Sequence, residues 1–214
     1  MDPGLNELLK WGVENSSSTA NDPSAAPPSN RGLNAEAINA LLGGPSDADL
    51  MKASMSAIVS TDPEISLDDK LIAFDNFEQL IENLDNANMM APLALWTPLL
   101  ECLKHEEPEI RKMAAWCVGT AVQNNVKSQD RCLAQGGVEA LTALACRETE
   151  SSEVRRKAVY ALSSECRNYQ PAMDVFTQEL TRLGRAQDKV DAADMEAIDA
   201  IINGLREEAV AKSA

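Results

Sequence analysis

The sequence is 214 residues long, with 44% hydrophobic side chains and a formal net charge of −15 from 19 Lys and Arg against 34 Asp and Glu. One domain plus a tail fits that length, and the acid excess argues against a nucleic-acid ligand, whose phosphates demand a Lys/Arg surface. No run approaches the roughly 18 apolar residues of a membrane span, and the first residues lack the charged-then-apolar order of a signal peptide.

Residues 1–14, MDPGLNELLKWGVE, read as a short amphipathic helix. Asp2 and Pro3 suit its N-cap and first turn, and Leu5, Leu8, Leu9 and Val13 form an apolar stripe from which Trp11 stands apart. From Asn15 to Gly32 the chain is rich in Ser, Pro, Asn and Ala and holds no large apolar residue, so it cannot repay the entropy of ordering. Residues 1–32 are therefore expected to be a helix tethered by a flexible linker, either a recognition element or a loosely docked end.

Leu33–Leu42 reads as a second helix, stopped by Gly43-Gly44-Pro45. Ser46 or Asp47 then caps a helix through Val59, with Leu50, Met51, Met55 and Ile58 apolar. Residues 33–60 are expected to cap the repeats, covering the otherwise exposed face of the first one.

The body, residues 61–183, is periodic. IRKMAAWCVGTAVQNN (Ile110–Asn125) carries apolar residues at Ile110, Ala114, Val118, Ala121 and Val122, one face of a helix. Its small residues, Ala114, Ala115, Gly119 and Ala121, let a neighbouring helix approach closely. LDDKLIAFDNFEQLIENL (Leu67–Leu84) and EVRRKAVYALSSECRN (Glu153–Asn168) overlay on it at offsets of 41 and 44 residues. The matched columns are Lys70/Arg111/Arg155, Phe77/Val118/Leu162, Ile81/Val122/Cys166 and Asn83/Asn124/Asn168. A purely helical period of about 40–47 residues belongs to HEAT and armadillo solenoids. Long helices are expected over 62–84, 107–125 and 151–168, each followed by shorter ones. In the second repeat these are Ser128–Gln135 and Val138–Arg147, parted by Gly136-Gly137, where a left-handed glycine would cap the first. In the first repeat Pro92 and Pro98 trim them around Leu95, Trp96, Leu99 and Leu103.

After Phe176 the pattern decays. Residues 184–214 hold a polar loop and a closing amphipathic helix over 191–208, with Met195, Ile198, Ile201, Ile202 and Leu205 inward, acid in its first turns, and frayed residues beyond it.

Chemistry-bearing motifs are lacking. The single histidine, His105, sits in a turn before Pro108 with no partner in the sequence for general-base work. Asp68-Asp69 and Glu106-Glu107 are consecutive at the start of helices, where their side chains point apart. No phosphate loop, nucleophile elbow or zinc signature occurs, so neither enzyme activity nor a cofactor or metal is expected. Five cysteines without metal-like spacing suit a reducing compartment, giving a cytoplasmic expectation. The charge is uneven: −9 over 61–107, +1 over 108–183 and −3 over 184–214. An acidic first repeat suits either a partner with a positive patch or plain solubility.

Three stretches carry a family resemblance. AAWCVGTAVQNN, SQDRCLAQGGVEALTALA and EVRRKAVYALSS look like two successive armadillo repeats. More narrowly, AFDNFEQLIENLDNAN (Ala73–Asn88), GTAVQNN (Gly119–Asn125), RKAVYALSSECRN (Arg156–Asn168) and the N-terminal NELLKWGVENS (Asn6–Ser16) resemble the Fes/heat-shock-protein-binding-protein family. Its members are armadillo-type nucleotide exchange factors for cytosolic seventy-kilodalton heat-shock chaperones. The resemblance spans nearly the whole chain, although longer relatives carry further repeats beyond the third.

The resemblance implies that the long helices line a concave face embracing one lobe of the chaperone's ATPase domain. Outward positions by one-turn stepping are Asp75, Gln79, Glu82 and Asn86, then Trp116, Thr120, Gln123 and Lys127, then Tyr160, Ser164 and Arg167. The Trp-then-Asn ladder by which armadillo proteins hold basic peptides is missing its asparagines at Thr120 and Ser164. Rim contacts are expected from Asp85, Asn86, Ala87 and Asn88, from Gln123, Asn124 and Asn125, and from Arg167, Asn168 and Tyr169. Asn83, Asn124 and Asn168 also fit helix C-caps. Phe74, Phe77 and Trp96 are assigned to the core. The resemblance further implies that the N-terminal segment, through Leu8, Leu9 and Trp11, aids release of the chaperone's polypeptide substrate.

The expectation is an all-α, armadillo-like solenoid with helical caps: a monomeric exchange factor that partners a cytosolic seventy-kilodalton heat-shock chaperone and touches neither nucleic acid nor membrane. The alternative is a general armadillo scaffold. ATP separates the two, because an exchange factor loses its partner on ATP addition and a scaffold does not.

Overall fold

A computed structural model describes residues 43–185 and 188–211; the expected helices at 1–14 and 33–42, with Leu8, Leu9 and Trp11, lie outside the described residues. Within the unit Asp47–Ala214 the described residues form helices and no strand. They are α1 (Asp47–Ile58), α2 (Leu67–Ile81), α3 (Leu84–Met89), α4 (Trp96–Cys102), α5 (Pro108–Val122), α6 (Val126–Ala134), α7 (Gly137–Cys146), α8 (Ser152–Cys166), α9 (Gln170–Arg182) and α10 (Met195–Ala211).

The long helices pack in a row, α1 on α2, α2 on α5, α5 on α8 and α8 on α10. Shorter helices pack against the row, α4 and α6 on α5, α7 and α9 on α8. The row is built on the predicted columns. Phe77, Val118 and Leu162 are fully buried, as are Phe74 and Trp96, and Ile81, Val122 and Cys166 each end a long helix. The column Lys70/Arg111/Arg155 has one task in all three repeats, reaching back to main-chain carbonyls that precede its helix. Lys70 Nζ donates to Ser60 O at 2.7 Å. Arg111 Nη1 donates to His105 O and Glu106 O, both at 2.6 Å. Arg155 Nε donates to Ala145 O at 2.9 Å. Orphaned carbonyls beside a helix start are thus satisfied by a cation the repeat supplies.

The long helices are shorter than the periodicity predicts. α2 begins at Leu67, not near 62, because Ser66 and Asp69 form a capping box that stops the helix there. At their ends α5 and α8 stop before Asn124 and Asn168, which have φ of 53° and 55°, the left-handed conformation that ends helices. Asn83 is different: it accepts from Asp85 N–H and N-caps α3. The first repeat therefore turns with one residue fewer than the others, and the predicted Asn column mixes two roles. Gly136, at φ 76°, makes the left-handed turn expected between α6 and α7. His105 is structural, its Nδ1 accepting from Glu107 N–H at 3.0 Å just before α5.

The closing helix starts at Met195, later than 191, because Asp194 takes the N-cap and accepts from Ala197 N–H. It runs on to Ala211, with Ala209 buried and Glu208 O accepting from Arg155 Nη1 at 3.1 Å. All five cysteines are free, four of them buried. Burial pushes the Cys117, Cys132 and Cys166 thiols well up, so they act as small core residues.

Candidate functional site

The outward positions of α2, α5 and α8 form a continuous face. Asp75 and Gln79 stand exposed on α2. One turn along from Asp75, Glu78 is nearly buried and accepts from Thr120 Oγ1 of α5 at 2.7 Å, tying the first two repeats together. Trp116 lies half-buried one turn before Thr120. Above it sits a cation from α8: Lys157 Nζ is 3.7 Å from the centre of the Trp116 ring and 5.8 Å from that of Tyr160. The faces of both rings attract the ammonium through their quadrupoles. Desolvation lowers the Lys157 pKa, against the opposing field of Glu78. Tyr160 completes the face, its hydroxyl donating to Gln123 Oε1 at 3.3 Å.

The structure thus joins Trp116, Thr120, Gln123 and Tyr160 and adds two residues that one-turn stepping missed, Glu78 and Lys157; Asp75 and Gln79 stand exposed on α2, Gln79 lining a cavity with Leu50 and Ala57 of α1. The sequence signal of the two added residues is faint. Each lies one turn before or after a predicted outward residue, but a helix periodicity cannot say that the two belong to one network across repeats.

Other predicted residues are occupied elsewhere. Arg167 turns to the closing helix, bonded to Asp199, to Met195 Sδ and, at 3.1 Å, to Ser163 Oγ. Ser164 is half-buried, and its carbonyl accepts from Gln129 Nε2, which also bridges the Glu165 and Arg167 carbonyls and so closes the end of α8. Tyr169 donates to Asp130 Oδ1 at 3.1 Å; desolvation, then Asp130, pushes its hydroxyl up to about 12. Ala87 and Asn125 correct the expected rim, because both are buried. Asn125 N-caps α6, donating to Ser128 Oγ at 2.8 Å and accepting from Ser128 N–H. Asn86 donates to Leu80 O and Asp47 Oδ2. Asn88 is half-buried; its side-chain oxygen has no partner, like the indole nitrogen of Trp96. The two residues line one small cavity of about 240 Å³. Glu82, Asp85, Asn124 and Asn168 remain exposed, and Lys127 is exposed on α6.

Among the described residues no cluster of His, Cys, Asp or Glu is placed to hold a metal ion, and no helix is long and apolar enough to cross a membrane. The face offers hydrogen-bonding groups, ring faces and charge, the equipment of protein recognition.

Residues 5–90 match the family model described as Nucleotide exchange factor Fes1, and residues 86–187 match the SIL1/FES1/HPBP1 C-terminal domain. A Gibberella zeae protein named Hsp70 nucleotide exchange factor FES1 is 68% identical over 207 residues, covering 96% of this chain and 97% of that protein. Hsp70 nucleotide exchange factor fes-1 of Neurospora crassa is 47% identical over 243 residues, covering 98% and 99%. The Saccharomyces cerevisiae FES1 protein of the same description is 41% identical over 174 residues, covering 80% of this chain and 59% of the relative.

Proposed function

We infer a mode of action from kinship: this chain belongs to the Fes1 family of nucleotide exchange factors. It is an exchange factor for seventy-kilodalton heat-shock chaperones, and the observation that carries this is the 68% identity with an Hsp70 nucleotide exchange factor along almost the whole of both chains.

The face from Asp75 to Tyr160 is the grip. A face of fixed helices needs no contact with the nucleotide. It binds a chaperone ATPase domain whose lobes are displaced better than one whose lobes are closed, and the closed state alone clamps ADP. The difference between those two affinities is all the module can spend on opening the clamp. Coupling of about 1–3 kcal/mol gives 5–150-fold. The same coupling runs backwards, so ADP weakens the module's hold by the same factor, and ATP, which also favours the closed lobes, expels it. The protein itself makes and breaks no bond; it is a binding module, not an enzyme, and its setting is the cytosol.

Support for the grip is local. Trp116 and Tyr160 are half-exposed aromatic rings in the middle of the face, the residue types that anchor protein interfaces, and Lys157 fixes them against each other. Residues 1–32, with Leu8, Leu9 and Trp11, act separately by offering an apolar segment where the chaperone holds its polypeptide substrate. Their deletion leaves ADP exchange intact and slows substrate release; unchanged release would remove that role.

The main test is stopped-flow release of fluorescent ADP from a chaperone ATPase domain. Acceleration that rises with module concentration and is weakened by Trp116→Ala with Tyr160→Ala is expected. A folded, helical protein that leaves the release rate unchanged would sink the reading.

A further inference from the structure

At the far end of the same face, between α8 and α10, lies an open groove of about 1000 Å³. Its charge is unlike the rest of the molecule. Lys112, Arg156, Lys157 and Arg206 line it, against Glu153 and Glu207, in a chain whose net charge is −15. Lys112 is matched, bonded to Glu109 and, at 3.0 Å, to Glu153. The others are not. Among the described residues Arg206 reaches only Asn203 Oδ1, at 3.2 Å. Among the described residues no carboxylate forms an ion pair with Arg156 or Lys157. Lys157 is moreover half-buried, so its ammonium has given up part of its water for two ring faces, and an arriving carboxylate restores what was lost. Tyr160 also lines the groove, and Val210, 54% exposed, gives it an apolar wall.

The opposite end of the face is acidic. It presents Asp75 on α2 and Glu82 just after it, with the nearly buried Glu78 between them, in the stretch 61–107 that carries −9. The face therefore runs from anionic at α2 to cationic in the groove beside α8. We propose that the α8–α10 groove receives an acidic segment of the chaperone's ATPase domain, carboxylates beside an apolar side chain, and that this polarity fixes which way round the module lies on its partner. The proposal rests on the exchange-factor reading. Complementary fields of this kind act mainly on encounter rate and on rejection of the reversed orientation. A polyanion such as nucleic acid is a poor occupant, since the surrounding −15 repels a long phosphate chain that a single carboxylate patch evades.

The test compares the full-length protein with Arg156→Gln/Lys157→Met/Arg206→Gln. Methionine keeps an unbranched stem over Trp116 and removes the charge. Association with the chaperone ATPase domain is followed by stopped flow at about 0.02 M and about 0.5 M salt, spanning screening lengths from tens of ångströms to a few. The triple variant is expected to associate at least tenfold more slowly at low salt, with a flattened salt dependence. At saturating concentration the double variant Arg156→Gln/Arg206→Gln, which leaves Lys157 on Trp116, still accelerates ADP release to within about twofold of the parent. An association rate within twofold of the parent at both salts overturns the groove assignment. Failure of the parent itself to accelerate ADP release instead strikes the exchange-factor reading, so the two failures are told apart. Should the triple variant not fold, Arg156→Gln/Arg206→Gln, both at exposed positions, is expected to show the same direction at smaller size, and an unchanged rate there overturns the assignment equally.

Discussion

The Tyr160 ring occupies the space where a side chain at Gly119 would begin. A Cβ built on Gly119 stands 2.5 Å from Tyr160 Cε1 and 3.1 Å from the Ala161 main chain. The glycine in the last turn of α5 is therefore what lets α8 approach and what sets the height of the tyrosine on the face it shares with Trp116.

Gly119→Ala gains the roughly 1 kcal/mol of helix propensity that alanine brings but forces the ring and a backbone apart. Overpacking of this kind costs about 1–3 kcal/mol, so the net expectation is a loss near 1 kcal/mol, a Tm drop of about 2–4 °C. The same variant should weaken partner binding through the displaced Tyr160. An unchanged or higher Tm with unchanged binding would show that the two helices separate freely.

The Arg111–Glu150 pair locks the second repeat to the third. It is bidentate, at 2.7 and 2.9 Å, and the Glu150 side chain is 3% exposed. Burial by itself would raise the Glu150 pKa; hydrogen bonds from Arg111 and from Ser151 N–H outweigh it and hold the carboxyl below its usual range. A carboxyl lowered in the folded state stabilises above its unfolded pKa, and that stability disappears as pH falls through the folded value. Glu150→Gln is expected to cost about 2 kcal/mol at pH 7 in thermal or urea unfolding. The difference from the parent should shrink towards pH 3; a gap independent of pH would mean the pair contributes only packing.

Glu165 behaves in the opposite sense. It is fully buried in α8 with no hydrogen-bond partner for either carboxyl oxygen. Desolvation pushes its pKa up to about 9, while the adjacent Cys132 thiol pulls weakly the other way. The folded protein then holds a proton that the unfolded chain releases near pH 4.5, so stability falls as pH rises between the two values. Glu165→Gln should flatten that slope and raise stability above pH 7 by on the order of 1–3 kcal/mol. Calorimetry from pH 5 to pH 9 checks it; parallel curves for parent and variant would place the ionised carboxylate in the core after all.

At Asn124 and Asn168 capping and contact can be separated. Both hold left-handed backbone, which glycine adopts without strain and alanine only at about 1 kcal/mol. Alanine at either site should destabilise by that amount, and glycine should be neutral. If these asparagines also touch the chaperone, glycine will weaken association while leaving Tm alone; equal association by the glycine variants would leave them as caps only.

Much of the fold was legible in the residues. The columns Phe77/Val118/Leu162 and Ile81/Val122/Cys166 mark buried positions because a helix repeats its faces every 3.6 residues wherever it is placed. Gly136 marked its turn because only a residue without Cβ is comfortable there, and the stretches Ala73–Asn88 and Arg156–Asn168 carried the family resemblance in their residues alone. Tertiary structure alone decided what those faces meet. Periodicity reports one helix's orientation but not its offset against the next, so nothing in the sequence placed Lys157 over Trp116 or Glu78 under Thr120. It could not turn Arg167 from the rim to Asp199, nor draw Ala87 and Asn125 inward. The contacts of Arg167 and Glu78 span 32 and 42 residues of chain, and burial depends on how closely neighbouring helices pack. A charge pattern that sums to −15 along the chain likewise becomes an anionic and a cationic end only when the row of helices lays the repeats side by side.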